Sequence, residues 1–326
     1  MEAGLGEDEM KPGLRDIADG ALLGGSRLAP TRLMAHWMWL LRQHAEIADR
    51  WGHHIRPIHY YEPLPDFRRV KREALERRRQ PLAIDFKIAD QTERVARLAK
   101  ERGAELEEIV RNDQFDFRNG FFAGLDAAVY YAIIRDLKPR RCVEIGSGYS
   151  TRIATLALER NEAEGCGGEL MCVEPYPEAR LTQSTARFKL IETLVQDAPL
   201  SIFESLEAND ILFIDSSHVA TTGGDVCFEF LDVLPRLKPG VWIHVHDIFF
   251  PCDYPADWVL KRRRAFNEQY VLEAFLSGNR DFEPTLTNYW LALDHREIVE
   301  RLCPVDVALQ DAAEAPSASF WMRRRA

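Results

Sequence analysis

The sequence has no pair of cysteines at a metal-binding or redox spacing. Its six cysteines are scattered, none belongs to a CxxC motif, and several lie inside apolar runs: Cys142, Cys166, Cys172, Cys227, Cys252 and Cys303. Zinc sites and disulfide frameworks place cysteines at close, regular spacings. The pattern therefore favours reduced thiols and predicts a cytoplasmic protein.

Long apolar runs and an excess of basic residues are missing as well. No window of about 18 uninterrupted apolar residues occurs, so a membrane span is not expected. Residues 1–19 are acidic and lack the basic and apolar regions of a signal peptide. The formal net charge of -10 at pH 7 argues against nucleic acid as a partner, because phosphate binding is driven by clustered lysine and arginine.

The composition is that of a globular protein with enough apolar material for one large core or two smaller ones. Of the 326 residues, 46% are hydrophobic and 29% are charged, which is an ordinary balance. We expect residues 1–30 to be a mobile extension, residues 31–120 to be mainly helical, and residues 121–326 to form the functional domain. The helical region is expected either to cover a cleft or to join the subunits of a homo-oligomer, and the sequence does not choose between these.

From Arg141 onwards, short apolar strands alternate with helices. The first five strands are predicted at Cys142–Ile145, Glu169–Val173, Ile191–Val195, Asp210–Ile214 and Val241–Val245. Strands and helices that alternate in this way build a mostly parallel sheet covered by helices on both faces. The predicted fold class is therefore α/β, with a Rossmann-like sheet.

The turn after the first strand has the features of a ligand-binding loop. It reads Glu144-Ile145-Gly146-Ser147-Gly148 and leads through Ser150 and Thr151 into a helix. Gly146 and Gly148 let the backbone bend tightly and approach a ligand closely. A dinucleotide-binding turn would have a third glycine where Thr151 stands. The carboxylate of Glu144 would repel a pyrophosphate, whereas it favours the cationic methionyl end of S-adenosylmethionine.

Acidic residues also follow the next two predicted strands. Glu174 comes after the second strand, where a carboxylate can accept hydrogen bonds from both ribose hydroxyls. Asp197 comes after the third, where it could contact the exocyclic amine of an adenine ring. Each has a structural alternative, since Glu174 could be a surface residue and Asp197 a helix cap. Their order along the strand ends favours S-adenosylmethionine as the cofactor.

In these features the sequence resembles the class I S-adenosylmethionine-dependent methyltransferases. The resemblance covers residues 125–325 and rests on the turn from Glu144 to Gly148, on Glu174 and on Asp215. It implies a seven-stranded sheet whose last strand is antiparallel. Strands six and seven would then lie at Phe282–Thr287 and Ser319–Arg323.

Polar residues cluster where the fourth and fifth predicted strands end. Asp215 and His218 follow the fourth strand, and His246 and Asp247 follow the fifth. Both ends lie at the ligand-binding edge of an open parallel sheet, so these side chains are expected to meet in one cleft. His218 is the candidate base for an acceptor hydroxyl, with Asp215 and Asp247 beside it. The structural alternative is helix capping and carboxylate–imidazole bonding.

A second, narrower resemblance is to the macrocin and mycinamicin type sugar O-methyltransferases and their cephalosporin hydroxylase-like relatives. It implies that Asp215 and Asp247 bind Mg2+ and that His218 is the base. His246 stands where that group has a second carboxylate, and imidazole is a poor ligand for Mg2+ but a good one for Mn2+, Fe2+ or Zn2+. Asp215, His246 and Asp247 are thus candidate ligands of a divalent metal whose identity stays open.

The segment after the fifth strand suits an acceptor pocket. Phe249 to Trp258 is aromatic and proline-rich, and Asn267, Glu268 and Tyr270 begin the helix beyond it. Rigid aromatic walls suit a sugar or polyketide ring. The predicted activity is O-methylation of a hydroxylated small molecule or saccharide. The alternatives are an NAD-dependent oxidoreductase, which the first turn disfavours, and a non-catalytic binding module, which the costly polar set at the strand ends disfavours.

Overall fold

The computed structural model describes residues 29–177, 188–305 and 317–325. The chain divides into two compact units, Met1–Arg68 and Arg69–Ala326. The mobile extension predicted for residues 1–30 lies almost wholly outside the described residues. The first unit contains helices α1 (Ala29–Gln43) and α2 (Ala45–Arg50). No helix in the described ranges combines the length and the apolar character that a membrane span requires.

The larger unit contains the sheet and most of the helices. These helices are α3 (Arg72–Glu76), α4 (Ile88–Arg111), α5 (Gly124–Leu137), α6 (Tyr149–Ala163), α7 (Ser201–Glu204), α8 (Asp225–Phe228), α9 (Ala256–Leu260), α10 (Glu268–Leu276), α11 (Asn288–Asp294) and α12 (Arg296–Val299). Residues 69–120, which the sequence analysis grouped with the N-terminal region, contribute α3 and α4 to this unit.

The described residues form a sheet of seven strands, the number that the family resemblance implies. They are β1 (Arg141–Ile145), β2 (Glu169–Val173), β3 (Lys189–Ile191), β4 (Ile211–Ile214), β5 (Trp242–Val245), β6 (Phe282–Thr287) and β7 (Phe320–Arg324). Their order across the sheet is β3-β2-β1-β4-β5-β7-β6. β1 to β5 are parallel to one another, and β7 runs antiparallel to both β5 and β6. The predicted Rossmann-like α/β class with an antiparallel last strand is confirmed.

The third strand is shorter and earlier than the predicted 191–195. β3 pairs Lys189 with Met171 and Ile191 with Val173, at the edge of the sheet. The chain then turns, because the backbone N–H of Thr193 bonds to the carbonyl of Ile191 and residues 195–197 form a 3-10 turn. Val195 is buried in the core from this turn. Its apolar side chain therefore reflects packing beneath the sheet and not strand pairing.

Both faces of the sheet are covered, which explains why the strands read as continuous apolar runs. Cys142 and Phe213 pack on one face with the residues of α5 and α6. Val143, Ile145 and Ile214 pack on the other face in a second core. Successive side chains of a strand point to opposite faces. A strand buried on both faces therefore needs apolar residues at most positions.

The register of the central strands sets the position of the candidate site. Ile145 pairs with Ile214, and Ile214 pairs with Val245, so β1, β4 and β5 end at one level. Gly146 follows β1 with a left-handed φ of 91°, and a Cβ added there would lie 2.3 Å from the carbonyl oxygen of Asp215. Only glycine allows this approach of the two loops.

The substitution Gly146→Ala tests this contact. We expect the free energy of unfolding to fall by about 2–4 kcal/mol, because the methyl group adds both steric overlap and left-handed backbone strain. Urea unfolding measures the change. The control is Gly103→Ala in α4, where the added Cβ would meet the Arg301 carbonyl at an ordinary 3.6 Å and should leave stability equal or higher. Equal midpoints for both variants would contradict the argument.

Candidate active site

A cavity of about 390 Å³ opens where β4 and β5 end. Its polar lining includes the residues that the sequence placed there, Asp215, His218, His246 and Asp247, and one from α5, Asp126. The ends of β4 and β5, which the sequence predicted to meet in one cleft, do meet in this cavity. Rings and guanidinium groups complete the lining, from Phe121, Trp258, Phe266, Arg262 and Arg264.

His218 is held between three carboxylates. Its Nε2 lies 3.3 Å from Asp215 Oδ1 and 3.4 Å from Asp247 Oδ2, and its Nδ1 donates to Glu268 Oε2 at 2.8 Å. The residue is buried and has a left-handed φ of 62°. Its carbonyl accepts the backbone N–H groups of Asn267 and Glu268 at the start of α10. The backbone and the side chain of residue 218 are therefore both anchored to α10.

These contacts fix the charges of the cluster. Burial alone would lower the pKa of His218, but the hydrogen bonds with Asp215 and Glu268 and the charge of Asp247 hold that pKa well above its usual range. Burial would raise the pKa of Asp215, yet the charge of His246 and the bond with His218 hold it below its usual range. Burial raises the pKa of Glu268, against the bond that it makes with His218. Around neutral pH the free protein thus has a protonated His218 facing an ionised Asp215.

Asp126 was not singled out from the sequence, although it contributes a buried carboxylate to the site. It accepts the backbone N–H groups of Ala318 and Ser319 at 2.7 and 3.1 Å and the side-chain amide of Asn288 at 2.7 Å. Its Oδ2 also lies 3.6 Å from His246 Nε2. The sequence feature that could have identified Asp126 is its position among the apolar residues of α5. A buried carboxylate needs a polar or charged partner.

His246 faces the carboxylates with both ring nitrogens. Nδ1 lies 3.4 Å from Asp215 Oδ1 and 3.7 Å from Asp247 Oδ1, while Nε2 faces Asp126. Burial opposes protonation, but the charges of Asp215 and Asp247 and the contact with Asp126 raise the pKa of His246 well above its usual range. His246 is therefore a second cation within the cluster.

His244 lies on the same face of β5 as His246 and belongs to the core. It is fully buried, stacks on Phe213 with ring centroids 4.0 Å apart, and shares a 2.7 Å hydrogen bond with the Ser319 hydroxyl. Burial and the charge of His246 lower its pKa. Of these two histidines, only His246 lines the cavity.

Glu144 supports the glycine turn from below. Its carboxylate accepts the hydroxyl of Tyr130 at 3.0 Å and that of Thr151 at 2.6 Å. Thr151 Oγ1 in turn accepts the backbone N–H of Gly148 at 3.0 Å. Glu144 is completely buried, and burial raises its pKa to about 7. The structure therefore gives Glu144 internal partners that shape the turn.

Two buried polar atoms that lack a partner in the described part of the chain lie in the turns that follow β1 and β3. The hydroxyl of Ser147 and Oε1 of Gln196 are buried, and neither has a hydrogen-bond partner among the residues that the structure describes. Buried polar atoms are normally paired. An adenosyl ligand offers hydroxyl and amine groups that could bond to such atoms. This chain's first turn and the 3-10 turn after β3 thus fit the cofactor that the sequence predicted.

The other predicted cofactor residues lie around these turns. Ser150 is buried in the first turn of α6. Glu174 is half-buried after β2, and its Oε1 accepts the backbone N–H of Tyr176 at 2.7 Å. Asp197 is exposed at the end of the 3-10 turn, next to Gln196. Gln196 donates from its amide to the carbonyl of Gly223 at 3.3 Å.

The residues proposed as metal ligands come together but are arranged as ion pairs. Nδ1 of His246 lies 3.4 Å from Oδ1 of Asp215 and 3.7 Å from Oδ1 of Asp247. In the described part of the chain, no group of three or more histidine, cysteine, aspartate or glutamate residues has the arrangement of a metal site. In this arrangement the donor set does not fit a metal ion.

Only part of the predicted aromatic segment reaches the cavity. Phe249 and Tyr254 are buried in the protein, with ring centroids 5.8 Å apart, whereas Trp258 lines the cavity. Arg262 and Arg264, in the turn after α9, also line the cavity, although nothing in the sequence pointed to them. Three consecutive arginines in a loop are usually exposed to solvent. The sequence therefore does not distinguish arginines of a cavity from arginines of the surface.

The comparisons with known proteins identify a methyltransferase domain in this chain. A family model described as a methyltransferase domain matches residues 143–248, from β1 to just beyond β5. An uncharacterised protein of Archaeoglobus fulgidus is 32% identical over 179 residues, which cover 48% of this chain and 75% of that protein.

Solved structures with a similar arrangement include three methyltransferases. An O-methyltransferase from Bacillus cereus in complex with SAH is 15% identical with a TM-score of 0.41, covering 68% of this chain and 91% of that one. The O-methyltransferase TomG from Streptomyces achromogenes in complex with SAM is 15% identical with a TM-score of 0.37, covering 61% and 79%. MycE from the mycinamycin biosynthetic pathway, in complex with Mg and SAH, is 15% identical with a TM-score of 0.35, covering 68% and 54%.

The matched domain identifies the family, and the sheet with its antiparallel last strand agrees with it. The chain belongs to the class I S-adenosylmethionine-dependent methyltransferases.

Proposed function

We propose that this methyltransferase transfers the methyl group to a hydroxyl of a small molecule or saccharide, with His218 as the base. The observation that carries the proposal is the position of His218. Its Nε2 faces the cavity residues Asp215 and Asp247, while its Nδ1 is bound to the buried Glu268. A base oriented by a carboxylate on its far nitrogen is the arrangement that general base catalysis requires.

Residues on three strand ends are proposed to hold the cofactor. Gly146, Ser147, Gly148, Ser150 and Thr151 form the first turn, and Ser147 contributes its unpaired hydroxyl. Glu174 is proposed to bind the ribose. Asp197 and the unpaired Oε1 of Gln196 are proposed to bind the adenine. S-adenosylmethionine, when bound, supplies a methyl group on a cationic sulfur.

Asp215 links the proposed cofactor site to the acceptor site. Its backbone N–H donates to the carbonyl of Ile145 at 3.0 Å, beside the Gly146 turn, and the residue also lines the cavity. Its carboxylate is held ionised by His218 and His246, because the charges of both histidines favour the charged form. An ionised group here stabilises a nearby cation. Because Asp215 contacts both binding sites, it also helps to align the acceptor oxygen with the methyl group, as in-line methyl transfer requires.

The cavity suits a ring that carries hydroxyl groups. Its volume of about 390 Å³ lies within the range of about 300–1,000 Å³ for small-molecule sites. Phe121, Trp258 and Phe266 supply flat apolar walls, and the carboxylates and imidazoles supply polar contacts. The oxidoreductase alternative is set aside because the matched domain is a methyltransferase. The roles of residues 31–120, the oligomeric state and the cytoplasmic location stay predictions.

The proposed proton path uses the two nitrogens of His218 for different tasks. The acceptor hydroxyl gives its proton to Nε2, and Glu268 keeps the Nδ1–H in place and stabilises the imidazolium that forms. Nε2 must be unprotonated before the transfer. Because the carboxylates raise the pKa of His218, the reactive neutral form becomes abundant only as the pH rises.

The first experiment is an acceptor screen with S-adenosylmethionine, in which mass spectrometry scores the gain of one methyl group. For the acceptor found, we expect His218→Gln to lower kcat about a hundredfold to ten-thousandfold, as for loss of a general base. Binding of S-adenosylmethionine, measured by calorimetry, should be unchanged. The control is His53→Gln, an exposed histidine of the first unit. Wild-type kcat in His218→Gln would show that this base assignment is wrong.

The pH profile tests the role of Glu268. We expect kcat to rise with pH above 6.5, the ordinary histidine value, because the base must lose its proton first. In Glu268→Gln this rise should move to lower pH, since one carboxylate that raises the pKa of His218 is gone. Glu273→Gln, on α10 but paired with Arg79, serves as the control and should leave the profile in place. Coincident profiles for Glu268→Gln and wild type would refute the assignment.

Metal dependence separates the ion-paired arrangement from the metal-assisted alternative. We expect the methyl-transfer rate to be unchanged after chelation with EDTA, because the imidazoles already neutralise the carboxylates that a metal would need. The rate is measured before chelation, after it, and after addition of Mg2+ or Mn2+. Loss of activity that only a metal restores would instead support Asp215, His246 and Asp247 as ligands.

A further inference from the structure

The rim of the acceptor cavity carries an arginine whose guanidinium group lies against two aromatic rings. The guanidinium carbon of Arg264 lies 4.5 Å from the ring centre of Trp258 and 5.3 Å from that of Phe266. All three residues line the cavity that contains Asp215 and His218. Contacts of this kind attract the guanidinium cation to the ring faces and restrict the positions that the side chain takes.

The backbone holds Arg264 in this position. The turn after α9 is closed by two backbone hydrogen bonds, from Arg262 N–H to the Asp257 carbonyl and from Arg264 N–H to the Trp258 carbonyl. Between them, Arg263 has a left-handed φ of 58°. A non-glycine residue pays a steric cost there, so the turn is a specific conformation and not a loose loop. It places the side chains of Arg262 and Arg264 on the same cavity.

The charge of Arg264 is not neutralised by the protein. Within residues 29–177, 188–305 and 317–325, its side chain forms no salt bridge, and its recorded side-chain contacts are the two rings. The neighbouring Lys261 is different, since it pairs with Asp257 at 2.5 Å. The carboxylates of Asp215 and Asp247 do not form ion pairs with Arg264 either, because they face His218 and His246. A guanidinium group that lies in a ligand cavity without a carboxylate partner can bind an oxyanion.

We propose that the acceptor of this methyltransferase carries an anionic group, a carboxylate or a phosphate, that binds Arg264 at the rim while its hydroxyl reaches His218. Arg262 lines the same rim and adds positive charge beside this group. The inference rests on the proposed function, since it concerns the acceptor of that reaction. It narrows the substrate class from hydroxylated compounds in general to hydroxylated acids and phosphorylated sugars.

The experiment measures binding of matched probes to the full chain saturated with SAH. Each pair differs only in the anionic group: glucose 6-phosphate against glucose, and 3-hydroxybenzoate against 3-hydroxybenzamide. Dissociation constants are measured by ligand-observed NMR titration up to millimolar concentrations. In at least one pair, we expect the anion to bind at least about tenfold more tightly to the wild type, as a charge-assisted contact predicts. The pair that shows this preference also reports whether the group is a phosphate or a carboxylate.

Three variants test whether Arg264 causes the preference for the anionic probe. Arg264→Gln should reduce it to about twofold or less, because the charge and the fork of donors are lost. Arg264→Lys keeps a charge and should retain part of it. Lys261→Gln, on the same turn but outside the cavity lining, should keep all of it. Urea unfolding confirms that each variant is folded before its binding is compared.

Other outcomes overturn the inference. It fails if no probe binds the wild type, if anions and neutral partners bind alike in both pairs, or if Arg264→Gln keeps the preference. The carboxylate of the cofactor is a second source of an oxyanion. If Arg264→Gln weakens SAH binding about tenfold or more, the arginine serves the cofactor and the inference is wrong. Failure of the proposed function is seen separately, as a lack of S-adenosylmethionine binding or an unchanged kcat in His218→Gln.

Discussion

The buried charges at the carboxyl edge of the sheet are held in place by one another. His218 and His246 are both buried, and each faces Asp215 and Asp247. An unpaired charge in such a place would cost several kcal/mol. The imidazoles raise the stability of the ionised carboxylates, and the carboxylates raise the stability of the imidazolium forms. Loss of one member therefore changes the protonation of the others, and for this reason the site behaves as one unit.

Two of these charged residues, His218 and Asp247, have a strained backbone conformation. His218 and Asp247 both have left-handed φ values, 62° and 54°, which cost non-glycine residues of order 1–3 kcal/mol each. At His218 the cost is offset by α10, whose first N–H groups bond to the carbonyl of that residue, and whose Glu268 bonds to its ring. α10 itself is held by the core through Leu272 and Leu276. Ordinary packing thus supports an unusual conformation at the site.

The sequence predicted the groups that follow directly from strand order. β1, β4 and β5 are apolar runs, and neighbouring parallel strands end at one edge, so Asp215 and His246 were expected to meet. Groups that depend on later parts of the chain were harder to predict. The position of Arg264 depends on a left-handed residue in a turn, Arg263, which no local pattern specifies.

Glu144 shows that the alternation of side chains along a strand does not predict which groups a side chain contacts. The sequence placed its carboxylate beside the ligand because it precedes the glycine turn. Residues two apart in a strand share a face, so Glu144 points to the same side as Cys142, towards α5 and α6. There it meets Tyr130 of α5 and Thr151 of α6. Strand period fixes the face on which a side chain lies, whereas its partners depend on which helices cover that face.

Asp126 shows how the last strand becomes part of the active site. The carboxylate lies in the first turn of α5, yet its bonds go to the backbone of residues 318 and 319, immediately before β7, and to Asn288 at the start of α11. These bonds occupy both oxygens, so the carboxylate cannot turn without breaking them. Since β7 pairs with β5, the group lies beside His246 and faces its Nε2. The ring is thereby held between Asp126 and Asp215, and the orientation of this histidine depends on the antiparallel return of the chain.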